Sequence, residues 1–366
     1  MRSQKLATHK ACKKATIQQT NHIMMPVPLL TTLGLFIIDG NEYPASINRP
    51  AENNIIGGGA LYAIIGGRIA CGQSLGRQIC GIIDKGSDFP AEIEDEMRTW
   101  DSGAIFRNTP DRLTSRGVNI YGEDGVRQFV YKSPKKRIVA DDILQTGNLL
   151  DLRTFHFCCS IERCEETIDI FLAERAKKGI LTRPKFIFEP FPEVCVAENL
   201  ENLHKIMHKV DVFSPNLNEA ADFYSMLVLP ETPEDIEQLA LKFLASSGPH
   251  GGVVLRCGAL GCFVKTRGVS LMLPAYHQNQ QNVVDVTGGG NSFCGAFITA
   301  LELSGDWIAA GIVGNIASGV VVEKLGMPSV KGDTWNGVLF KERLATYLDA
   351  NKQLLTAFDP ATINWI

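Results

Sequence analysis

Short apolar segments alternate with amphipathic segments along most of the chain, which indicates strands alternating with helices. The apolar runs predict buried strands at 33–38, 80–84, 154–159, 185–188, 211–213 and 253–257. Segments of helical period predict helices at 88–100, 162–177, 195–209 and 335–350. Because a helix usually returns the chain to a parallel neighbouring strand, this order predicts an α/β fold with a doubly wound, mostly parallel sheet.

Strict alternation of polar and apolar residues occurs in two further stretches, 112–121 and 125–132. They flank the turn sequence Glu123-Asp124-Gly125, so they predict a β-hairpin. From the pattern alone this is an ordinary edge hairpin.

Composition limits the classes of function. With 366 residues, the chain is long enough for one large α/β domain or two smaller ones. Its hydrophobic content of 45%, charged content of 21% and formal net charge of −4 are those of a globular protein without a basic excess. We therefore expect no nucleic-acid partner. No run of 18 apolar residues occurs, so no membrane association is expected.

The N-terminal segment is basic and free of acids until Asp39. We predict a disordered segment at 1–30, a single domain at 31–350 and a tail at 351–366. A mitochondrial transit peptide is the alternative for the basic segment, and Met24 or Met25 is an alternative start. The ten cysteines are scattered without a Cys-x-x-Cys pair, which is typical of reduced thiols, so we expect a cytoplasmic protein.

A glycine-rich stretch is the strongest candidate for chemistry. An apolar run ends at Asp285, Gly288, Gly289 and Gly290 follow, and a helical pattern begins at once. Glycines let several N–H groups point at one place, and the positive end of the helix adds to their field. The stretch therefore predicts a site for a phosphate or an oxyanion, and a tight connection without a ligand is the alternative.

Asn216 and Glu219 form a second candidate site after the strand predicted at 211–213. A carboxylate and an amide suit Mg²⁺, which keeps several waters and takes few protein ligands. The same spacing is also that of a helix N-cap, and both roles are compatible.

These motifs resemble those of the pfkB (ribokinase-like) carbohydrate kinases, from about residue 33 to residue 329. Six residues fall on the family signature: Asp285, Thr287, Gly288, Gly290, Phe293 and Gly295. Within the family, the Gly-Gly-Gly-Asn form and the Phe188-Glu189-Pro190 stretch are most similar to the fungal "maintenance of killer" branch. The resemblance implies a three-layer α/β/α sandwich with a small β lid, built from about 39–50 and 110–132.

The resemblance also implies roles for individual residues. The catalytic positions are Gly288, Gly289, Gly290 and Asn291, of which the last is the family's position for the catalytic base. The substrate-binding positions are Asp39, Gly58 and Gly59. The nucleotide-binding positions are Asn216, Glu219, Arg256, Gly258, Gly261, Thr287 and Asn315, and Asn216 and Glu219 also hold magnesium through water.

Three positions depart from the family pattern. Asn291 replaces the aspartate that accepts the substrate proton, and a carboxamide is not a base near neutral pH. Leu61, Tyr62 and Ala63 stand where an asparagine usually binds the sugar, and Arg256 replaces a threonine beside the nucleotide. Asp285 is not expected to substitute as the base, because in relatives it supports the loop.

The predicted function is transfer of the γ-phosphate of ATP to a hydroxyl of a small sugar-like substrate, with activity reduced by Asn291. The expected cofactors are ATP, Mg²⁺ and a monovalent cation, and a homodimer through the lid is compatible with the resemblance. The alternative is an inactive pseudokinase that binds nucleotide or sugar and acts through partners. A nicotinamide-dependent oxidoreductase is disfavoured, because no Gly-x-Gly-x-x-Gly turn follows the first strand.

Overall fold

The computed structural model describes residues 27–123 and 127–366. The strands in these residues are β1 (Leu30–Thr32), β2 (Ile37–Glu42), β3 (Glu52–Gly57), β4 (Cys80–Lys85), β5 (Gly103–Asn108), β6 (Gly117–Tyr121), β7 (Arg127–Tyr131), β8 (Thr154–Cys159), β9 (Lys185–Pro190), β10 (Val212–Phe213), β11 (Gly252–Arg256), β12 (Cys262–Lys265), β13 (Ser270–Leu273), β14 (Val330–Lys331), β15 (Thr334–Trp335) and β16 (Val338–Leu339). The α-helices are α1 (Gly59–Leu75), α2 (Ala91–Thr99), α3 (Ala140–Leu144), α4 (Ile161–Lys177), α5 (Leu200–Ile206), α6 (Leu217–Asp222), α7 (Pro233–Leu244), α8 (Gly289–Ser304), α9 (Trp307–Val322) and α10 (Phe340–Ala350).

The main sheet has seven strands in the order β1-β8-β9-β10-β11-β12-β13. From β1 to β11 all neighbours are parallel, and β12 and β13 complete the edge as antiparallel strands. A parallel bridge between Leu30 and Ile79 attaches the parallel pair β4-β5 beside β1. The predicted doubly wound, mostly parallel sheet is confirmed.

Two hydrophobic cores cover the two faces of this sheet. One contains buried side chains of α1, α8, α9 and α10, and the other those of α3 to α7. Because the strands are covered on both faces, their apolar runs are nearly continuous, as in other parallel sheets. The three-layer α/β/α arrangement follows. No helix of the described residues has the length and apolar character that a membrane span needs.

A second sheet, here called the side sheet, contains four strands in the order β3-β2-β6-β7. The predicted hairpin is confirmed as the antiparallel pair β6-β7, while residues 124–126 of its tip lie outside the described residues. The side sheet contains β2 and β3 as well, so it includes both segments predicted for a lid. That it covers a substrate stays a prediction, as do the domain boundaries. Of the predicted segment 1–30, residues 1–26 lie outside the described residues.

Three predicted elements were wrong in extent. The single first strand predicted at 33–38 is instead β1 in the main sheet and β2 in the side sheet. The helix predicted at 335–350 begins at Phe340, since Trp335 lies in a small sheet of β14 to β16. The helix predicted at 195–209 is reduced to α5. Buried side chains lie on both sides of each true boundary, such as Trp335 and Phe340, so the apolar pattern does not reveal it.

Helices α1 and α8 approach each other closely. A Cβ on Gly66 would lie 1.9 Å from the carbonyl oxygen of Ser292, and one on Gly295 would lie 2.1 Å from that of Ala63. Only glycine permits such contact between helix backbones. This packing brings the N-terminal ends of both helices to the same region of the molecule.

Candidate functional site

The turn before α8 has the geometry predicted for an anion site. Gly288 is the N-cap residue and adopts a left-handed conformation with φ of 79°. It has no side chain to cap the first helical turn. The N–H of Gly289 donates to the Val286 carbonyl at 3.2 Å, so the N–H groups of Gly290 and Asn291 are those available to a ligand. The ring of Tyr62 lies 2.1 Å from where a Cβ on Gly288 would be. Both the backbone conformation and the space therefore require glycine.

The loop that leads into this turn is held by Asp285. Its Oδ1 accepts hydrogen bonds from the backbone N–H of Thr287 at 3.0 Å and from the Thr287 hydroxyl at 2.8 Å. Asp285 thus supports the loop, and the predicted nucleotide contact of Thr287 stays a prediction. The apolar residues before the turn are not a strand, and Val284 and Val286 are 65% and 74% exposed.

A cavity of about 300 Å³ opens beside the turn. It brings together residues from distant parts of the chain, among them seven of the predicted site positions: Asn216, Arg256, Gly258, Gly261, Gly289, Gly290 and Asn315. Asn315 lies on α9, and its Nδ2 donates to the carbonyls of Leu273 and Pro274 at 3.1 and 2.9 Å. Tyr276 and Phe293 contribute aromatic rings to its wall, and His277 also lines it.

A buried polar network forms the floor of the site, and Glu189 is its centre. Its Oε2 accepts from Asn291 Nδ2 at 2.7 Å and faces His156 Nε2 at 3.0 Å. Its Oε1 lies 2.8 Å from Arg256 Nη1. Arg256 also contacts Glu219 Oε2 at 3.3 Å and donates to the Ser214 carbonyl at 3.2 Å. The departures at 291 and 256 therefore belong to one connected cluster.

Hydrogen bonds extend this network into the sheet. His156 Nδ1 lies 2.9 Å from the Thr32 hydroxyl, and Thr32 Oγ1 accepts from the backbone N–H of Gly34 at 3.0 Å. If Thr32 donates to Nδ1, then Nε2 carries the imidazole proton and donates to Glu189.

Electrostatics favour an ionised Glu189. Burial alone would raise the pKa of this carboxyl, but Arg256, His156 and Asn291 together lower its pKa to about 2. Burial alone would lower the pKa of Arg256, but the attraction of the Glu189 carboxylate outweighs this effect, so the pKa of Arg256 is raised. Glu219, in contrast, has a raised pKa, because its burial outweighs the attraction of Arg256.

Asn216 and Glu219 form the predicted N-cap of α6. Asn216 Oδ1 accepts from the Glu219 N–H at 2.8 Å, and Glu219 Oε2 accepts from the Asn216 N–H at 2.7 Å. All hydrogen bonds named for Glu219 use Oε2, which leaves Oε1 for a water molecule. The pair fits Mg²⁺ bound through water, and direct coordination would compete with Arg256 for the carboxylate.

The predicted substrate side lies at the N-terminus of α1. A Cβ on Gly59 would be 3.2 Å from Asn291 Nδ2, so the beginnings of α1 and α8 meet at Asn291. The carboxylate of Asp39 packs against Gly57, and its Oδ2 lies 2.1 Å from where a Cβ on Gly57 would be. Gly58 adopts φ of 92°. Tyr62 is buried nearby, and its pKa is raised by burial and by Asp39 and Asp285.

Sequence reasoning missed two members of the network, His156 and Glu189. Glu189 is a carboxylate at the carboxyl end of a buried strand, where α/β sheets bind ligands, and this was the signal available for it. His156 lies inside a strand and is fully buried, so no sequence pattern distinguishes it from a core residue.

Comparison with known proteins gives concordant results. The profile described as pfkB family carbohydrate kinase matches residues 120–330. The chain is 36% identical over 337 residues to Protein MAK32 of Saccharomyces cerevisiae, which covers 87% of this chain and 92% of that protein. The fungal branch indicated by the sequence motifs is thereby confirmed.

Solved structures show the same fold at low sequence identity. A ribokinase from Giardia lamblia superposes with a TM-score of 0.66 at 16% identity, covering 89% of this chain and 99% of that one. A ribokinase from Cryptococcus neoformans in complex with ADP superposes with a TM-score of 0.63 at 19% identity, covering 87% and 99%. At such identities the likeness concerns the fold alone.

Proposed function

This chain belongs to the pfkB family of carbohydrate kinases, and on that premise we propose that it is an ATP-dependent phosphotransferase. The acceptor is a hydroxyl of a small sugar-like molecule, and the rate is reduced because Asn291 occupies the position of the family's base.

One observation carries this proposal. The cavity of about 300 Å³ adjoins the open N-terminal turn of α8 and gathers seven positions that the resemblance assigned to nucleotide and phosphate. Cavities of this size accommodate small ligands, and an uncapped helix N-terminus attracts phosphate. The ribokinase from Cryptococcus neoformans, which shares the fold, is a complex with ADP.

Individual residues take distinct parts in this proposal. Asn315, Gly258 and Gly261 line the part of the cavity assigned to the nucleoside, and Gly289 and Gly290 face the phosphates. Asn216 and Glu219 would hold Mg²⁺ through water, and the ion would neutralise phosphate charge. The glycine turn stabilises charge that develops on the transferred group.

Loss of a general base lowers an enzymatic rate by about 10²–10⁴-fold. Positioning and electrostatic stabilisation remain, and these terms dominate phosphoryl transfer. A weakened kinase is therefore consistent with an amide at position 291.

A second candidate is a pseudokinase that binds nucleotide and acts through other proteins. A specific observation favours it. Asn291 Nδ2 donates a hydrogen bond to Glu189 Oε2 at 2.7 Å, so the residue at the family's base position helps to hold the buried network. In that case nucleotide binding persists without turnover.

Release of ADP from Mg-ATP separates the two candidates. Purified protein is assayed with a panel of sugars and nucleosides, beside Asn291→Asp and the exposed control Asn108→Asp. The kinase proposal expects turnover by the wild type with at least one acceptor, and an unchanged rate in the control.

Other outcomes contradict the kinase proposal. Turnover by Asn291→Asp alone favours the pseudokinase. No turnover in any variant, together with a melting temperature that Mg-ATP does not raise, refutes both candidates, because a bound ligand stabilises the folded state by mass action.

A further inference from the structure

We propose that Glu189 accepts the proton of the substrate hydroxyl, in place of the carboxylate that the family has at position 291. This inference rests on the proposed phosphotransferase function and names the group that completes its chemistry.

Position supports this role. Glu189 is the second-last residue of β9, at the edge where the neighbouring parallel strands also end, and its Oε2 lies 2.7 Å from Asn291 Nδ2. The carboxylate is therefore one hydrogen bond away from the family's base position. Its Oε1 lies 3.2 Å from where a Cβ on Gly290 would be, and Arg256 Nη1 lies 1.9 Å from the same point, so the ion pair of Glu189 and Arg256 borders the glycine turn.

The hydrogen bonds of Glu189 leave it able to accept a proton. A carboxylate offers about four acceptor positions. Three donors of the described residues use three of them: His156, Asn291 and Arg256. The remaining position belongs to Oε1, the oxygen that borders the turn.

The surroundings keep Glu189 ionised before reaction. Besides these three donors, the groups that face it are Cys158 from β8, Cys294 from α8 and Glu219 from α6. Burial raises the pKa of both thiols, so they stay protonated near neutral pH. Arg256 is thus the permanent positive charge beside Glu189, and it lowers the carboxyl pKa.

A weakly basic carboxylate is sufficient for this reaction. In a loose transition state the hydroxyl proton becomes strongly acidic as the new bond to phosphorus forms, so proton transfer comes late. The hydroxyl oxygen bonds to the γ-phosphorus while the bond from that phosphorus to the β,γ-bridging oxygen breaks. The bridging oxygen leaves with its electron pair as part of ADP, and the hydroxyl proton goes to Glu189. Glu189 later releases it to water.

The other nearby groups are less suited to the task. Asp285 accepts two hydrogen bonds from Thr287 and holds the loop. Glu219 is part of the α6 cap. His156 is fully buried and directs its Nε2 at Glu189, away from any substrate.

Glu189→Gln tests the inference, with the exposed Glu92→Gln as its control. We expect kcat for ADP release at saturating Mg-ATP to fall by about 10²-fold or more in Glu189→Gln, in addition to any change in KM that follows from the altered Arg256. A residue that only supports the structure would leave kcat of the folded, saturated protein near the wild-type value. Glu92→Gln should match the wild type in every measurement.

The double variant Glu189→Gln/Asn291→Asp supplies the decisive comparison. It returns the carboxylate to position 291, and the amide introduced at position 189 can donate to it, which reverses the wild-type hydrogen bond. We expect at least tenfold recovery of kcat over Glu189→Gln.

Each remaining outcome overturns the inference. If the wild type is active and kcat of Glu189→Gln is within threefold of the wild-type value, another group accepts the proton, and the kinase function stands. An inactive wild type with an active Asn291→Asp shows that Glu189 does not act as the base. If nucleotide binds but no variant turns over, the kinase function itself fails and the inference with it.

Discussion

Glu189→Gln should also destabilise the protein in a manner that depends on pH. The substitution keeps the shape of the side chain and removes the negative partner of the buried guanidinium of Arg256, which lies 2.8 Å away in the wild type. Breaking one side of a buried ion pair costs about 3–5 kcal/mol, since the other charge is left without its partner.

The pKa of Glu189 gives an independent magnitude. It falls from an ordinary value of 4.5 to about 2 in the folded protein, and each factor of ten in proton affinity is worth about 1.4 kcal/mol. The carboxylate therefore contributes about 3 kcal/mol at pH 7. Because its pKa is lowered by folding, the contribution is complete above pH 4.5 and is lost as the pH falls towards 2. At pH 3 about 1 kcal/mol is left.

Urea unfolding at pH 7, 5, 4 and 3 measures this difference. The free energies of unfolding of wild type and Glu189→Gln are subtracted at each pH, which cancels the other carboxyl groups. We expect a difference of about 3 kcal/mol at pH 7 and 5, shrinking by about 2 kcal/mol at pH 3. A difference below about 1 kcal/mol at pH 7, or one that does not change with pH, would refute the account of Glu189 as an ionised partner of Arg256.

Three further substitutions test other parts of the site. Gly288→Ala forces a Cβ onto a residue with φ of 79° and into the Tyr62 ring, so unfolding in urea should show a loss of about 1–3 kcal/mol. Asn291→Asp replaces a hydrogen bond to Glu189 by two adjacent carboxylates, and its melting temperature should be below wild type at pH 8 and approach it at pH 5, where one of the pair binds a proton. Asn315→Ala removes the hydrogen bonds to Leu273 and Pro274 that fix a wall of the cavity, and calorimetric titration should show at least tenfold weaker binding of ADP.

Much of the fold was predictable because parallel strands buried on both faces leave long apolar runs in the sequence. The strand at 154–159 was predicted with its observed bounds, since polar residues limit it on both sides. The break between β1 and β2 was not predictable, because residues on both sides of it are buried although they lie in different sheets.

The site was predictable only where local sequence determines local geometry. The glycine turn at 288–290 and the cap of Asn216 and Glu219 both depend on neighbouring residues, and both formed as expected. The network of Glu189 depends on contacts between residues up to 133 positions apart, such as that of Asn291 with Cys158. No periodic pattern in a sequence reveals such long-range contacts. Neither the ion pair of Arg256 with Glu189 nor the hydrogen bond that Asn291 donates to Glu189 was therefore predicted.

The close packing of α1 against α8 has a consequence for how the molecule can move. Helices whose backbones touch at Gly66 and Gly295 cannot slide or rotate past each other without steric overlap. The two helix ends that meet at Asn291 therefore form one rigid body with the main sheet. The side sheet is joined to that body through Gly58 and through loops at 33–36, 109–116 and 132–139. Any movement of the side sheet relative to that body must then use these connections as hinges, while the cavity beside the glycine turn stays with the rigid body.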